Sequence, residues 1–195
     1  MPAFRELHIP VPGLIILGCW VIFAIYWNVS AFAVKPTAKR NSFLSSLPYR
    51  LLMISGWLLI VVFRSPAPLN FQLTPHPPAA GALAAADCIL GLAISLWSRW
   101  TLAGNWSSDV RFKEGHQLVK TGPYRFVRHP IYSGILLMCL APSIQFGRLH
   151  HWLGLAFICA GVWIKLKQEE ALMLRHFPEY SDYRKEVKAL VPFLI

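Results

Sequence analysis

Long apolar stretches alternate with short, basic polar ones along most of the chain. A membrane crossing needs about 20 mostly apolar residues to traverse about 30 Å of hydrocarbon. Five runs meet or approach that length: Val11 to Val34, Pro48 to Phe63, Ala79 to Leu102, Ile131 to Phe146 and Trp152 to Ile164. The second is short and is expected to extend a little on either side. The fifth is short in the membrane and is expected to continue as helix beyond it. Only a few residues join the fourth and fifth runs, which predicts a tight antiparallel hairpin. The first run follows Arg5 and superficially resembles a signal peptide. It is too long for an h-region and lacks a small-residue cleavage site, so it reads as a span. Ser65 to Pro78, rich in proline and without acidic residues, is the nearest thing to a linker, and no internal repeat occurs. The pattern predicts an all-α integral membrane protein of about five transmembrane helices. It forms a single domain over 1–195, with three N-terminal spans over 11–102 and a more polar half over 103–195.

Composition supports lipid as the solvent. Hydrophobic residues make up 55% of the 195 and charged residues 14%, against roughly 25% charged in soluble domains. Mean hydropathy is +0.46. The net charge of +10 is distributed unevenly. Lys35, Lys39, Arg40 and Arg50 follow the first span. Arg99, Arg111, Lys113, Lys120, Arg125 and Arg128 lie around the segment between spans three and four. Lys165, Lys167, Arg175, Arg184, Lys185 and Lys188 follow the fifth span. Those are sixteen of the nineteen Lys and Arg residues; only Arg5, Arg64 and Arg148 fall on the other side. The positive-inside rule then puts the N-terminus outside and the C-terminus in the cytosol. The basic loops read as neighbours of anionic membrane lipid, with no nucleic-acid partner. The two longest polar segments, Ala103 to His129 and Lys165 to Ile195, share the cytosolic side and hold seven of the nine acidic residues. Cys19, Cys88, Cys139 and Cys159 each lie in an apolar stretch and read as small buried hydrophobes, with no disulfide or metal site.

Two clusters carry chemistry. The first is the run from Gly115 to Tyr132, GHQLVKTGPYRFVRHPIY. Gly122-Pro123 is a turn signal. Pro130 suits the first position of the fourth helix, and it pushes His129 away from helical geometry. The helix start offers free backbone N–H groups beside Arg128 and His129. Two readings stay open: a cradle for a carboxylate or phosphate, or a cationic turn that anchors the helix at the interface. The second cluster is Lys165-Leu-Lys-Gln-Glu169-Glu170 at the end of the fifth span. Lys165 and Glu169 share a helix face, and adjacent carboxylates at a membrane boundary are expensive to desolvate. They read either as a solvated helix end or as a site for a cationic group. The hairpin brings both clusters to one level, where they would flank a cytosolic pocket suited to a zwitterion. Asp87 lies inside span three and is a functional candidate or an interhelical hydrogen-bonding group. Trp97, Trp100 and Trp106 read as an aromatic belt, with Trp106 the candidate to meet a substrate. His150 and His151 read as outer loop residues. Tyr180 and Tyr183 serve a lid or packing.

In order and spacing, Gly104-Asn-Trp-Ser107, His116-Gln-Leu-Val119, Gly122-Pro-Tyr124, Arg128-His-Pro-Ile-Tyr132, Glu169-Glu170 and Phe177-Pro-Glu-Tyr180-Ser-Asp-Tyr183 resemble the isoprenylcysteine carboxyl methyltransferase family. That family belongs to a broader group with membrane phospholipid methyltransferases. The resemblance covers roughly Leu102 to Pro192 and makes 103–195 the cofactor-binding, catalytic half. It implies a site for S-adenosyl-L-methionine lined by His116, Gln117, Leu118, Val119, Tyr124, His129, Pro130 and Tyr132, with Glu169 and its neighbour Glu170 on the cofactor. The absence of a strand-flanked G-x-G-x-x-G agrees with a non-Rossmann site. Lys165 stands where the family has an arginine facing the substrate carboxylate, which keeps the charge and loses the bidentate fork. The implied function is methylation of a lipophilic small-molecule or prenylated acceptor, first of all carboxyl O-methylation of an isoprenylcysteine, with Lys165 and Glu169 as the catalytic pair. Phospholipid N-methylation and small-thiol S-methylation are the nearest alternatives. A membrane reductase and a non-catalytic scaffold are more distant.

Overall fold

The computed structural model describes residues 10–31, 37–40, 43–61, 66–103, 111–113 and 118–194. Five long helices dominate: α1 (Val11–Ala31), α2 (Phe43–Val61), α3 (Ala80–Leu102), α4 (Pro130–Phe146) and α5 (Leu149–His176), followed by a short α6 (Tyr180–Glu186). One element departs from the all-α pattern. β1 (Thr37–Arg40) and β2 (Arg111–Lys113) pair antiparallel, tying the α1–α2 connection to the α3–α4 connection.

The helices alternate in direction. Gly81 of α3 lies by Pro12 of α1, and Arg99 reaches Ser30, so α1 and α3 run parallel. Gly81 also meets Gln145 of α4, and Gly91 meets Gly134, so α3 and α4 are antiparallel. Contacts of Gly56 with Gly154 and of Tyr49 with Gly161 set α2 antiparallel to α5. Trp20 of α1 meets Trp57 of α2 edge to face at 4.5 Å between centroids, closing the ring of helices.

Leu17, Val21, Ile25, Leu51, Ile54, Leu58, Leu83 and Leu90 point outward from the bundle, as side chains bathed in lipid must. Among the described residues, four helices are long and apolar enough to cross a membrane: α1, α2, α3 and α5. The chain is an integral, multi-pass membrane protein. α4, the fourth expected span, has 17 residues, about 25 Å at 1.5 Å per residue. It touches α1, α2, α3 and α5 and buries Met138, Cys139, Ala141 and Ser143 completely. A helix wrapped in other helices has less need to match the hydrocarbon thickness.

Several boundaries differ from those expected. α2 begins at Phe43, five residues before Pro48, which sits inside the helix. Pro48 cannot donate to the Leu44 carbonyl, and nearby Gln168 of α5 donates to the Ser45 carbonyl at 2.8 Å. α5 begins at Leu149 and continues well past Ile164, as anticipated. His150 and His151 are therefore not loop residues; both are buried in its first turns, and His150 Nδ1 lies 2.8 Å from the Leu59 carbonyl oxygen. The proline-rich linker clasps the α4–α5 turn, with Leu73 N–H donating to Gly147 and Leu149 N–H to Phe71. Cys159 is exposed on the bundle exterior, unlike the other three cysteines.

Without a hydrophobic driving force between helices in lipid, small residues that let backbones approach do the joining. A Cβ on Gly134 would lie 2.5 Å from the Gly91 carbonyl oxygen, and one on Gly154 would lie 2.7 Å from that of Gly56. Neither backbone can retreat without separating the pair. Gly134→Val should cost about 1–3 kcal/mol, the range for overpacked cores, read as lowered thermal stability in detergent. The same change at Gly18, which faces open space, should leave stability near wild type.

Candidate functional site

The start of α4 and the end of α5 meet, as the hairpin predicts, and side chains from the two are in direct contact. Pro130 opens α4, and His129 before it holds φ −127° and ψ 57°, outside helical geometry. Arg128, ahead of the helix, donates to Glu170 Oε1 from Nε at 2.8 Å and from Nη2 at 2.6 Å. The two side chains are 8% and 3% exposed, so the pair is desolvated on both sides. Glu170 Oε2 lies 3.5 Å from Arg184 Nε and has no hydrogen-bond partner among the described residues.

His129 sits between the two carboxylates. Its Nδ1 is 3.7 Å from Glu169 Oε2 and its Nε2 is 3.4 Å from Glu170 Oε1. Neither contact is a well-formed hydrogen bond, and Nε2 is buried without one among the described residues. Tyr132, one turn into α4, stacks on His129 with centroids 5.7 Å apart and donates its hydroxyl to Glu169 Oε1 at 2.5 Å. Lys165, one turn before Glu169, holds its ammonium 5.5 Å from the Tyr132 ring centre and 5.8 Å from that of Tyr49 on α2. These are cation–π distances. Lys165, Tyr132, Glu169, His129, Glu170 and Arg128 thus form one continuous chain of contacts.

The stretch after α6 straps this cluster in place. Arg128 N–H donates to the Lys188 carbonyl at 2.8 Å and His129 N–H to the Ala189 carbonyl at 2.9 Å. Ser133 Oγ donates to the Leu190 carbonyl at 2.5 Å, and Arg128 Nη1 to the Val187 and Arg184 carbonyls. The N–H groups of Arg128 and His129, just ahead of the helix start, are thus bonded to the strap. Tyr180 and Tyr183 are buried, and Tyr183 donates its hydroxyl to the Tyr124 carbonyl. Burial pushes the Tyr124, Tyr180 and Tyr183 phenols above their ordinary range, so all three stay neutral.

Of the expected site residues, Tyr124, His129, Pro130, Tyr132, Lys165, Glu169 and Glu170 gather here. Leu118 and Val119 are half-buried on the approach to the Gly122 turn. His116, Gln117 and Trp106 lie outside the described residues. Trp97 and Trp100 project from the basic end of α3, 47% and 73% exposed, as belt residues do. Asp87 holds Oδ2 buried without a hydrogen-bond partner among the described residues. The sequence reading missed Tyr49, whose ring belongs to the site. It also missed Arg99, buried and donating to the carbonyls of Ala103 and Ser30.

The fold is thus a polytopic helical membrane bundle with a charged, aromatic-walled cluster at its basic end. The chain belongs to the phospholipid methyltransferase family, whose model matches residues 79–180, just over half of it and including α3, α4, α5 and the site. The protein-S-isoprenylcysteine O-methyltransferase of Rattus norvegicus is 28% identical over 175 residues, covering 85% of this chain and 59% of that protein. A probable protein-S-isoprenylcysteine O-methyltransferase of Oryza sativa subsp. indica is 26% identical over 87 residues, 44% of this chain and 46% of that protein. The nickel-cobalt-cadmium resistance protein NccN of Alcaligenes xylosoxydans xylosoxydans is 33% identical over 104 residues, 51% and 43% of the two. The chain thus spans about half the length of the curated relatives it matches. These similarities place it among the membrane methyltransferases of the isoprenylcysteine and phospholipid group.

Breaking a buried ion pair by removing one partner strands the other. Glu170→Ala should therefore destabilise the protein by about 3–5 kcal/mol in denaturant unfolding and expose the 187–191 strap to proteolysis. Wild-type stability in that variant would show the pair to be dispensable.

Proposed function

We propose that the chain is an S-adenosyl-L-methionine-dependent methyltransferase that esterifies the carboxylate of a lipophilic, isoprenylcysteine-type acceptor. The observation that carries this reading is the adjacency of Lys165 and Glu169 across Tyr132, a cation and an anion held side by side at the membrane's edge. The family membership supplies the reaction class.

The side chains present suit the cofactor's charges. Glu169 is 20% exposed and, among the described residues, its Oε2 makes a long contact to His129, so it can receive an ammonium or face a sulfonium. Glu170 Oε2 and His129 Nε2 are buried polar atoms without hydrogen-bond partners among the described residues, and a ligand's donors and acceptors would complete them. His129, Pro130, Tyr132, Tyr124, Glu169 and Glu170, with Leu118, Val119, His116 and Gln117 from the preceding segment, would hold the cofactor. When bound, S-adenosylmethionine supplies a methyl on a sulfonium, whose passage to a carboxylate oxygen leaves a neutral thioether and requires no proton removal. Lys165 would hold the acceptor carboxylate by charge, and Trp106 would meet its apolar part. Tyr49 and Tyr132 set aromatic faces at cation–π distance from the Lys165 ammonium. We further propose that the basic end faces the cytosol, with the N-terminus outside, so that cofactor arrives from water and acceptor sideways from lipid.

A second reading, N-methylation of a phospholipid amine, is favoured by the description of the matching family. It would need a base for the amine proton, and the Lys165 ammonium opposes an ammonium acceptor.

Glu169→Ala should abolish binding of labelled S-adenosylmethionine to the purified protein; near-wild-type binding would remove the assignment. Incubation with prenylcysteine, phospholipid and thiol acceptors should give label released by mild base, the mark of an ester. A base-stable product would favour N- or S-methylation.

A further inference from the structure

Tyr49 enters the site from α2, which lies outside the family match and carries none of the site motifs. It is 3% exposed, and its hydroxyl is buried with no hydrogen-bond partner among the described residues. A phenylalanine would fill the same space without leaving a polar atom unpaired, a cost that buried groups normally avoid. The position is also tightly set. A Cβ on Gly161 would lie 3.0 Å from the Tyr49 carbonyl oxygen and 2.7 Å from Met53 Cγ, so the missing side chain on α5 lets α2 come close. Gly161 is one turn before Lys165, which brings Tyr49 level with that ammonium, 5.8 Å from ring centre to Nζ. The other tyrosine at Lys165 is different: the Tyr132 hydroxyl is already committed to Glu169. Tyr49 therefore brings an uncommitted O–H to the neighbourhood of a cation.

We propose that Tyr49 is a specificity-determining residue whose phenolic O–H acts with the Lys165 ammonium to grip an anionic head on the acceptor. The inference rests on the reading of Lys165 as the acceptor's cation. A hydroxyl beside an ammonium suits a carboxylate, which accepts from both. It disfavours an amine, which the ammonium repels, and an ester, which offers only a weaker, neutral carbonyl. The two donors come from different helices, α2 and α5, so the grip depends on the Gly161 contact. Tyr49 in effect replaces one arm of the fork that a lysine lacks.

The test is direct binding to the full chain in nanodiscs of neutral lipid, with N-acetyl-S-farnesylcysteine and its methyl ester as probes. The wild type should bind the acid at least about ten-fold more tightly than the ester, the discrimination expected of a charge-assisted hydrogen bond. Tyr49→Phe should cut that preference by about ten-fold while leaving ester affinity and S-adenosylmethionine affinity as they were; Lys165→Gln should cut it likewise. An undiminished acid preference in Tyr49→Phe overturns the proposal. So does equal binding of acid and ester by the wild type, a result that needs no variant. Selective acid binding lost in Tyr49→Phe, but without methyl transfer in the wild type, would remove the proposed reaction and leave the grip standing. Ester formation with an acid preference indifferent to Tyr49 would do the reverse.

Discussion

The contact between Arg128 and Glu170 is the constraint on which the basic end of the bundle depends. Both charges are nearly inaccessible, and neither could be tolerated there alone, since an isolated ion in a low-dielectric setting costs several kcal/mol. Once paired, they fix how far α5 runs past the start of α4, and so fix the level of every residue on those two faces. Glu169 and Lys165 inherit their positions from Glu170 through the helix repeat. Tyr132 and His129 inherit theirs from Arg128 through Pro130. Two adjacent acidic residues then play different parts. Glu170 gives one oxygen, Oε1, to the pair, and Glu169 bonds Tyr132 instead.

The bundle behind the pair is rigid for a different reason. α3 and α4 touch at Gly91 and Gly134, and α2 and α5 touch at Gly56 and Gly154. Each pair is joined at backbone distance, while α4 and α5 face each other through larger side chains such as Cys139, Ile158 and Val162. The polar cluster crosses this looser seam. Tight packing within each pair and charge between them therefore divide the labour of holding the site.

Much of this was legible in the sequence, and the failures have physical causes. The helices showed because lipid demands apolar length, and the hairpin showed because its connection is short. The meeting of the Arg128 and Glu169 segments followed from those two facts. The second run extends before Pro48, as its shortness suggested, but the backbone bond that proline removes is invisible without its neighbours. His150 read as a loop residue because histidine is polar, but a ring nitrogen beside the Leu59 carbonyl can be buried. Tyr49 was hidden in an apolar run, where a tyrosine looks like any aromatic. The strap over Arg128 and His129 could not be read at all, because Lys188 and Ala189 act through their carbonyls and any residues there would serve.

That strap has a consequence for how the protein is made. It lies beyond all five long helices, so a ribosome delivers it only after they have been synthesised. Until then the backbone donors at the head of α4 must be satisfied by water, and Arg128 awaits a carboxylate 42 positions downstream. Membrane insertion and closure of the strap are thus separate events in time, and a nascent chain can have all five long helices in place while the head of α4 still lacks its backbone partners.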